Sequence, residues 1–462
     1  MIRSAALRLA ALARLVTFVL LTVALTTSPA AAQSVLRDAE TEALFRDMAR
    51  PLIVAAGLEP NNVQVVLIND PEINAFVAGG QIVYVHSGLI AAADNVNEVQ
   101  GVVAHEIGHI TGGHIVRFAE GAKAATGITI LSLLLGAAAM AAGAGDAGMA
   151  AMMAGQQAAM GKFLAFTRAQ EGSADAAGAS FLRKAGVSGR GMLSFFGKLR
   201  SQEYRLSSSY ADIDPYAQTH PLSGDRMQTL EGELKSSPAW DKPTDPALEA
   251  RFQRVKAKLV GFVNDPNETL RKYPESNQSI PASYARAYAW HKRAYPDKAL
   301  AEADKLLAAE PRDPYFLELK GQILLETGRP KEAIAPLREA VERSGSQPLI
   351  ATLFSHALIA TEDPSNFAEA RKVLRVAVQR DNDNPFAWYQ LGLIFEHDGD
   401  RPRAALATAE RYSLEGRPQL ALPSAEVAMR GIPAGTSDYL RAQDIAMVSR
   451  TEIEQQKKKK QR

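Results

Sequence analysis

The chain has 462 residues, 47% of them hydrophobic and 22% charged, with 52 basic side chains against 51 acidic ones. This is a globular composition, and a net charge of +1 excludes a global field for gathering nucleic acid or anionic membrane. Cysteine is absent, which excludes thiol catalysis, disulfides and Cys-ligated zinc, so any metal must be held by His and carboxylates.

Met1–Ala32 has the layout of an export signal. Arg3, Arg8 and Arg14 precede the uncharged run Leu15–Leu25, and Ala30-Ala31-Ala32 offers a small-residue cleavage site. The signal implies an exported, periplasmic protein that begins near Gln33; an uncut membrane anchor is the rival reading. Residues 35–58 then carry a helical period, with Leu36, Leu44, Met48, Leu52 and Ile53 on one face and Gly57 at the end. Val63–Ile68 and Ile82–Val85 are β-branched runs that predict strands of a small sheet. If Ile82–Val85 is an edge strand, a substrate peptide can add to it, with Gly80, Ile82, Val83 and Tyr84 as the binding residues. A core strand preceded by a Gly turn is the equal alternative, and His86 is read as a strand-end His.

From Asn95 to Phe118 the period is helical and contains His105-Glu106-Ile107-Gly108-His109. Residues four apart on a helix share a face, so both imidazoles can grip one metal ion. Glu106, about 100° round the helix, is placed to reach a water on that ion as general base. The elongated scheme that draws a third His from the same segment fails, because its position holds Ile115 and His114 falls one residue short. A carboxylate from a second helix is the alternative, and Glu171 offers one, with Asp175 on the same face to hold a ligating imidazole. Gly172, Ser173, Ala174, Ala176 and Ala177 suit a helix packed closely on a neighbour, which favours that role over a solvated face. Residues 124–161, rich in Ala, Gly and Met, predict a membrane span or a hairpin that covers the site or dips into a membrane surface. Further on, His220 and Arg226 are candidates to stabilise a developing oxyanion.

The texture changes at Pro274–Pro281. Beyond it, small residues recur at Ala287, Gly321, Ala357 and Gly392, each followed 12 or 13 positions on by Ala299, Ala333, Ala370 and Ala404. A period of 34 to 36 residues predicts about four helical hairpins stacked as a solenoid, with Gly328 and Gly399 in turns. Such arrays present a concave protein-binding surface; scaffolding for the rest of the chain is the rival role. Lys457–Lys460 is either a contact for anionic lipid or a solvated end.

His105–His109, His114 and Arg168-x-x-Glu171-x-x-x-Asp175 together resemble the gluzincin family of the CAAX prenyl endopeptidases and the membrane protease HtpX. The export signal and the tetratricopeptide-like repeats narrow the likeness to the periplasmic β-barrel assembly-enhancing proteases. The resemblance implies one Zn2+ per chain held by His105, His109 and Glu171, with Glu106 as general base. It also places His220 and Arg226 beside the site, with His220 capping the zinc at rest. Ser173 departs from the family, which often has a second Glu there. The implied fold is mostly α with a small β-sheet: a gluzincin metalloprotease domain followed by an all-α tetratricopeptide solenoid. The expected layout is a signal at 1–32, a zinc metallopeptidase domain at 33–272, repeats at 273–450 and a basic tail at 451–462. The implied partners are unfolded or partly assembled outer-membrane proteins and, through the repeats, the outer-membrane assembly machinery, with peripheral membrane contact and no nucleic acid. The alternative is a chaperone or assembly factor that acts through its repeats and keeps a largely latent zinc site.

Overall fold

A computed structural model describes residues 34–141, 144–206, 220 and 224–460. The expected leader lies outside the described residues, as do Thr219, Pro221–Ser223, Gln461 and Arg462. Among the described residues the protein is mostly α, with one small sheet.

Strands β1 (Ser34–Leu36), β2 (Gln64–Asn69), β3 (Ala75–Ala78) and β4 (Ile82–His86) lie in the order β1-β2-β4-β3. β4 runs parallel to β2 and antiparallel to β3, so that Val83 faces Val65 on one side and Val77 on the other. This corrects the edge-strand expectation. Hydrogen-bond ladders occupy both sides of Ile82, Val83 and Tyr84, which leaves them no backbone groups for an added strand. Gly80 stands with Gly79 in the β3–β4 turn, both at positive φ. Among the described residues the free edges belong to β1 and β3.

The first predicted helix is α1 (Ala39–Ala55), which starts at Asp38, whose side chain accepts from Thr41 N–H at 2.8 Å. The short α2 (Ser87–Ala92) follows the sheet. The helical pattern from Asn95 to Phe118 resolves into α3 (Val96–Gly112) and α4 (His114–Ala141), separated by Gly113 at φ +62°. Asn95 caps α3 by accepting from Glu98 N–H at 3.0 Å. α4 and α5 (Gly145–Ala185) form an antiparallel hairpin in which a Cβ at Gly155 would strike Ser132 and one at Gly136 would strike Met152. By length and composition His114–Met140 is long and apolar enough to cross a membrane, and Leu134 and Met153 are 65% and 61% exposed.

Helices α6 (Arg190–Leu206), α7 (Gly224–Lys235), α8 (Pro246–Val263) and α9 (Pro266–Lys272) complete the N-terminal part. Its core joins Leu44, Phe45 and Met48 of α1, Val99, Val102, Val103 and Ile107 of α3, and Phe195 and Phe196 of α6.

The C-terminal part is built of hairpins: α10 (Ile280–Lys292) with α11 (Pro296–Ala309), α12 (Pro314–Glu326) with α13 (Pro330–Arg343), α14 (Pro348–Ala360) with α15 (Pro364–Arg380), and α16 (Pro385–His397) with α17 (Arg401–Leu414). α18 (Pro418–Gly431) and α19 (Ser437–Lys460) close the stack. Pro at the first helical position, often after a capping Asp, Asn or Gln, starts most of these helices. The periodic small residues are buried except Gly392, which is half-buried, and a Cβ on Gly321 would overlap Leu337 of the paired helix. Lys457–Lys460 continue α19 as helix.

Candidate metal centre

Two helices make the centre, and small residues let them touch. A Cβ on Gly108 of α3 would lie 2.6 Å from the Ala174 carbonyl oxygen of α5, and one on Gly178 would lie 3.1 Å from His105 N. At this separation Glu171 and Asp175 of α5 reach His105 and His109 of α3. His105, Glu106, Glu171, Asp175 and His220 are all buried, and His109 is 8% exposed.

His105 Nε2 and His109 Nε2 stand 3.1 Å apart, and Glu171 lies 3.5 Å from the first and 3.4 Å from the second. Donors held about 2.0–2.1 Å from one ion at tetrahedral angles are about 3.3–3.4 Å apart, so these separations, with Oε2 of Glu171 toward His105 and Oε1 toward His109, fit a metal the size of zinc. His220 joins the cluster, with Nδ1 3.0 Å from Glu171 Oε2 and 3.4 Å from His105 Nε2. Beside it, both carboxylate oxygens of Glu106 are buried and lack a hydrogen-bond partner among the described residues. A buried carboxylate in that position calls for a hydrogen-bonding partner from outside the chain. Burial pushes the Glu106 carboxyl up against the opposing pull of His220 and His105. Burial also resists ionisation of Glu171, but His220 and His105 hold it far below the usual carboxylate range.

A second layer orients the donors. Asp175 Oδ1 lies 2.9 Å from His105 Nδ1, and Arg226 grips Asp175 with Nε at 2.7 Å and a second nitrogen at 3.0 Å. The same guanidinium lies 3.2 Å from Glu171 Oε2, so Arg226 faces the two carboxylates. Burial alone would lower the His105 pKa, yet Asp175 and Glu171 raise it to about 10, whereas burial and the charge on His105 push His109 down to about 2. Spacing gave no hint of one further pair: His114 Nδ1 is 2.9 Å from His109 Nδ1, and His114 Nε2 is 3.0 Å from Ser173 Oγ. Gly113, free to take a left-handed φ, turns the chain so that His114 folds back under α3. The Gly-Gly pair before His114 was the available signal.

The profile of peptidase family M48 matches residues 36–234, a segment that contains every group in this centre. Residues 36–234 are a peptidase family M48 domain. The chain is a metalloprotease. The M48 domain and repeats together are similar to the beta-barrel assembly-enhancing protease of Escherichia coli (strain K12), 29% identical over 385 residues that cover 81% of this chain and 76% of that protein. The corresponding protein of Yersinia pestis is 27% identical over 383 residues, with the same coverage. Within the M48 domain, the metalloprotease LoiP of Escherichia coli is 30% identical over 182 residues, 38% of this chain and 64% of that one. Residues 291–377 match the profile described as anaphase-promoting complex, cyclosome, subunit 3, and the C-terminal hairpins are TPR-like. The M48 domain thus brings together His105, Glu106, His109, Glu171, Asp175, His220 and Arg226, and leaves Ile82–Tyr84 inside the sheet.

Proposed function

We propose that this metalloprotease is a zinc endopeptidase of the periplasm that cleaves misfolded or stalled outer-membrane proteins, which its repeats recruit. The observation that carries the reading is the converging set of His105, His109 and Glu171 with the unsatisfied carboxylate of Glu106 beside it. His105, His109 and Glu171 hold the ion, Asp175 and Arg226 fix His105 and Glu171, and Glu106 accepts a proton from water and passes it to the leaving amine. Zinc, when bound, lowers the pKa of water toward ~7 and polarises the scissile carbonyl. The substrate class follows the names of the Escherichia coli and Yersinia relatives, and export follows Met1–Ala32. Exposed apolar residues on α4 and α5 support contact with a membrane surface.

Substrate backbone is assigned to β3, an edge of the sheet among the described residues that packs on α3. The decisive measurement pairs metal analysis with proteolysis of casein. Glu106→Gln should keep one zinc per chain and lose roughly 10²–10⁴-fold in cleavage; a variant that still cleaves at the wild-type rate rejects the assignment.

The position of His220 favours a second reading, in which the site is latent at rest. Its Nδ1 lies where a fourth ligand would stand, among His105 and Glu171. His220→Ala is then expected to raise basal cleavage, and an unchanged or lower rate counts against latency. If Glu106→Gln leaves outer-membrane assembly intact in cells, the repeats carry the biological role and cleavage is secondary.

A further inference from the structure

We infer that Ser173 and His114 form a proton-fixed relay that holds His109 in the one tautomer able to bind metal, and that Gly112 exists to make room for it. The inference rests on the ligand set proposed above.

The polarity of the relay follows from its geometry. His109 directs Nε2 at His105 and Glu171. A neutral imidazole that ligates through Nε2 carries its proton on Nδ1. That Nδ1–H faces His114 Nδ1 at 2.9 Å, so His114 Nδ1 must accept. The His114 proton is therefore on Nε2, which faces Ser173 Oγ at 3.0 Å. Ser173 accepts this bond and donates its own hydroxyl proton to the Gln170 carbonyl oxygen at 3.1 Å. Each link has one donor and one acceptor, and the chain ends on a backbone carbonyl that cannot reverse it. No other arrangement of protons satisfies every link while leaving the His109 Nε2 lone pair free.

The relay ends on the turn of α5 that carries Glu171, so the same turn fixes two donors of the centre. It also explains a glycine that no backbone angle requires. Gly112 is the last residue of α3, and a Cβ there would lie 2.3 Å from His114 Nε2 and 2.8 Å from two ring carbons. Any side chain at 112 displaces the ring that His109 leans on. Ser173 stands where the resembling family often has Glu; either side chain offers an oxygen that accepts from Nε2–H.

Three measurements on the full-length protein test the relay. Zinc affinity is read by competition with a chromophoric chelator. The tautomer of His109 is read in the zinc-loaded protein by long-range 1H–15N NMR, and folding of the metal-free form by circular dichroism. Ser173→Ala and Gly112→Ala are expected to weaken zinc binding 10- to 100-fold with the metal-free fold retained. His114→Ala should do the same, and His114→Asn, which keeps an acceptor in place of Nδ1, should recover most of the loss. Wild-type His109 should show its proton on Nδ1. A bare Nδ1, or wild-type zinc affinity in both Ser173→Ala and His114→Ala, overturns the relay. His105→Ala lies outside the relay and should bind no zinc; if it binds zinc as tightly as wild type, the ligand set itself is wrong.

Discussion

Glu318 on α12 shows how a single side chain sets a pH dependence away from the catalytic centre. Burial, with Asp38, Glu40 and Asp313 nearby, pushes its carboxyl up to about 8 despite the opposing Lys258, and its Oε2 has no hydrogen-bond partner among the described residues. The folded state therefore holds this proton more tightly than the unfolded chain, whose Glu titrates near ~4.3. Stability contributed here is complete below that value, falls as pH rises toward 8, and levels off above it. Glu318→Gln removes the liability: stability from denaturant unfolding should rise by roughly 2 kcal/mol at pH 8 and not at all at pH 4.5, since a tenfold difference in proton affinity is worth about 1.4 kcal/mol and partial solvation discounts the whole. Equal gains at both pH values would show that shape, not charge, is responsible. Nothing in the sequence marked Glu318, because its burial arises where the repeats meet α8. The pairing of His105 with His109, by contrast, was legible because helical spacing alone sets it. Glu171 and Asp175 were legible as one face of one helix, but not as partners of particular imidazoles. His114 was not, since only the left-handed turn at Gly113 carries it back.

At the scale of elements, the sheet order decides where a peptide can lie. β-branched runs announced β2 and β4, but a run of strand-forming residues says nothing about which strands are neighbours. β1 and β3, of three and four residues, were too short to give a period at all. With β4 enclosed, β3 is the edge beside α3, and its register shows which backbone groups are free. His86 N–H donates to the Asn74 carbonyl at 3.0 Å, and residues opposite one another alternate between bonded and unbonded pairs. Phe76 and Ala78 therefore point their amides at β4, while Ala75 and Val77 point theirs outward. Val77→Pro deletes one outward N–H and leaves the ladder alone. Loss of one hydrogen bond to substrate, about 0.5–1.5 kcal/mol, should raise KM for an unfolded protein several-fold, with kcat little changed. Phe76→Pro, which strikes the ladder, should lower stability instead. Identical kinetics for Val77→Pro and wild type would remove β3 as the binding edge.

The whole molecule depends on a charged joint between its protease and repeat parts. The repeats were readable because each hairpin restates the same small residues, so one period predicts the entire stack. The joint was not readable: Glu40 and Arg254 are 214 positions apart, and no spacing links them. Arg254 of α8 binds Glu40 of α1, reaches Asp313 at 2.9 Å and Glu310 at 3.3 Å, and lies over the Phe316 ring. Lys258 of the same helix binds Asp38, and Tyr284 of α10 donates to Glu40 at 2.8 Å. Thus α1, which opens the M48 core, and the turn that leads into α12 of the repeats share one guanidinium. Arg254→Ala leaves Glu40 and Asp313 short of a counter-charge in a buried setting, a change that costs about 3–5 kcal/mol; Lys258 beside Glu40 holds it to the lower end. Calorimetry should show the melting temperature falling and one transition splitting into two, as the parts lose their common lock. Neutralising Glu40 as well, Glu40→Gln with Arg254→Met, removes one of the two stranded charges and should restore part of the lost stability, because a buried ion pair gains little over an apolar pair of similar volume, while Asp313 stays unpaired. If Arg254→Ala melts as wild type does, the two parts are held by apolar packing and the ions merely decorate the seam.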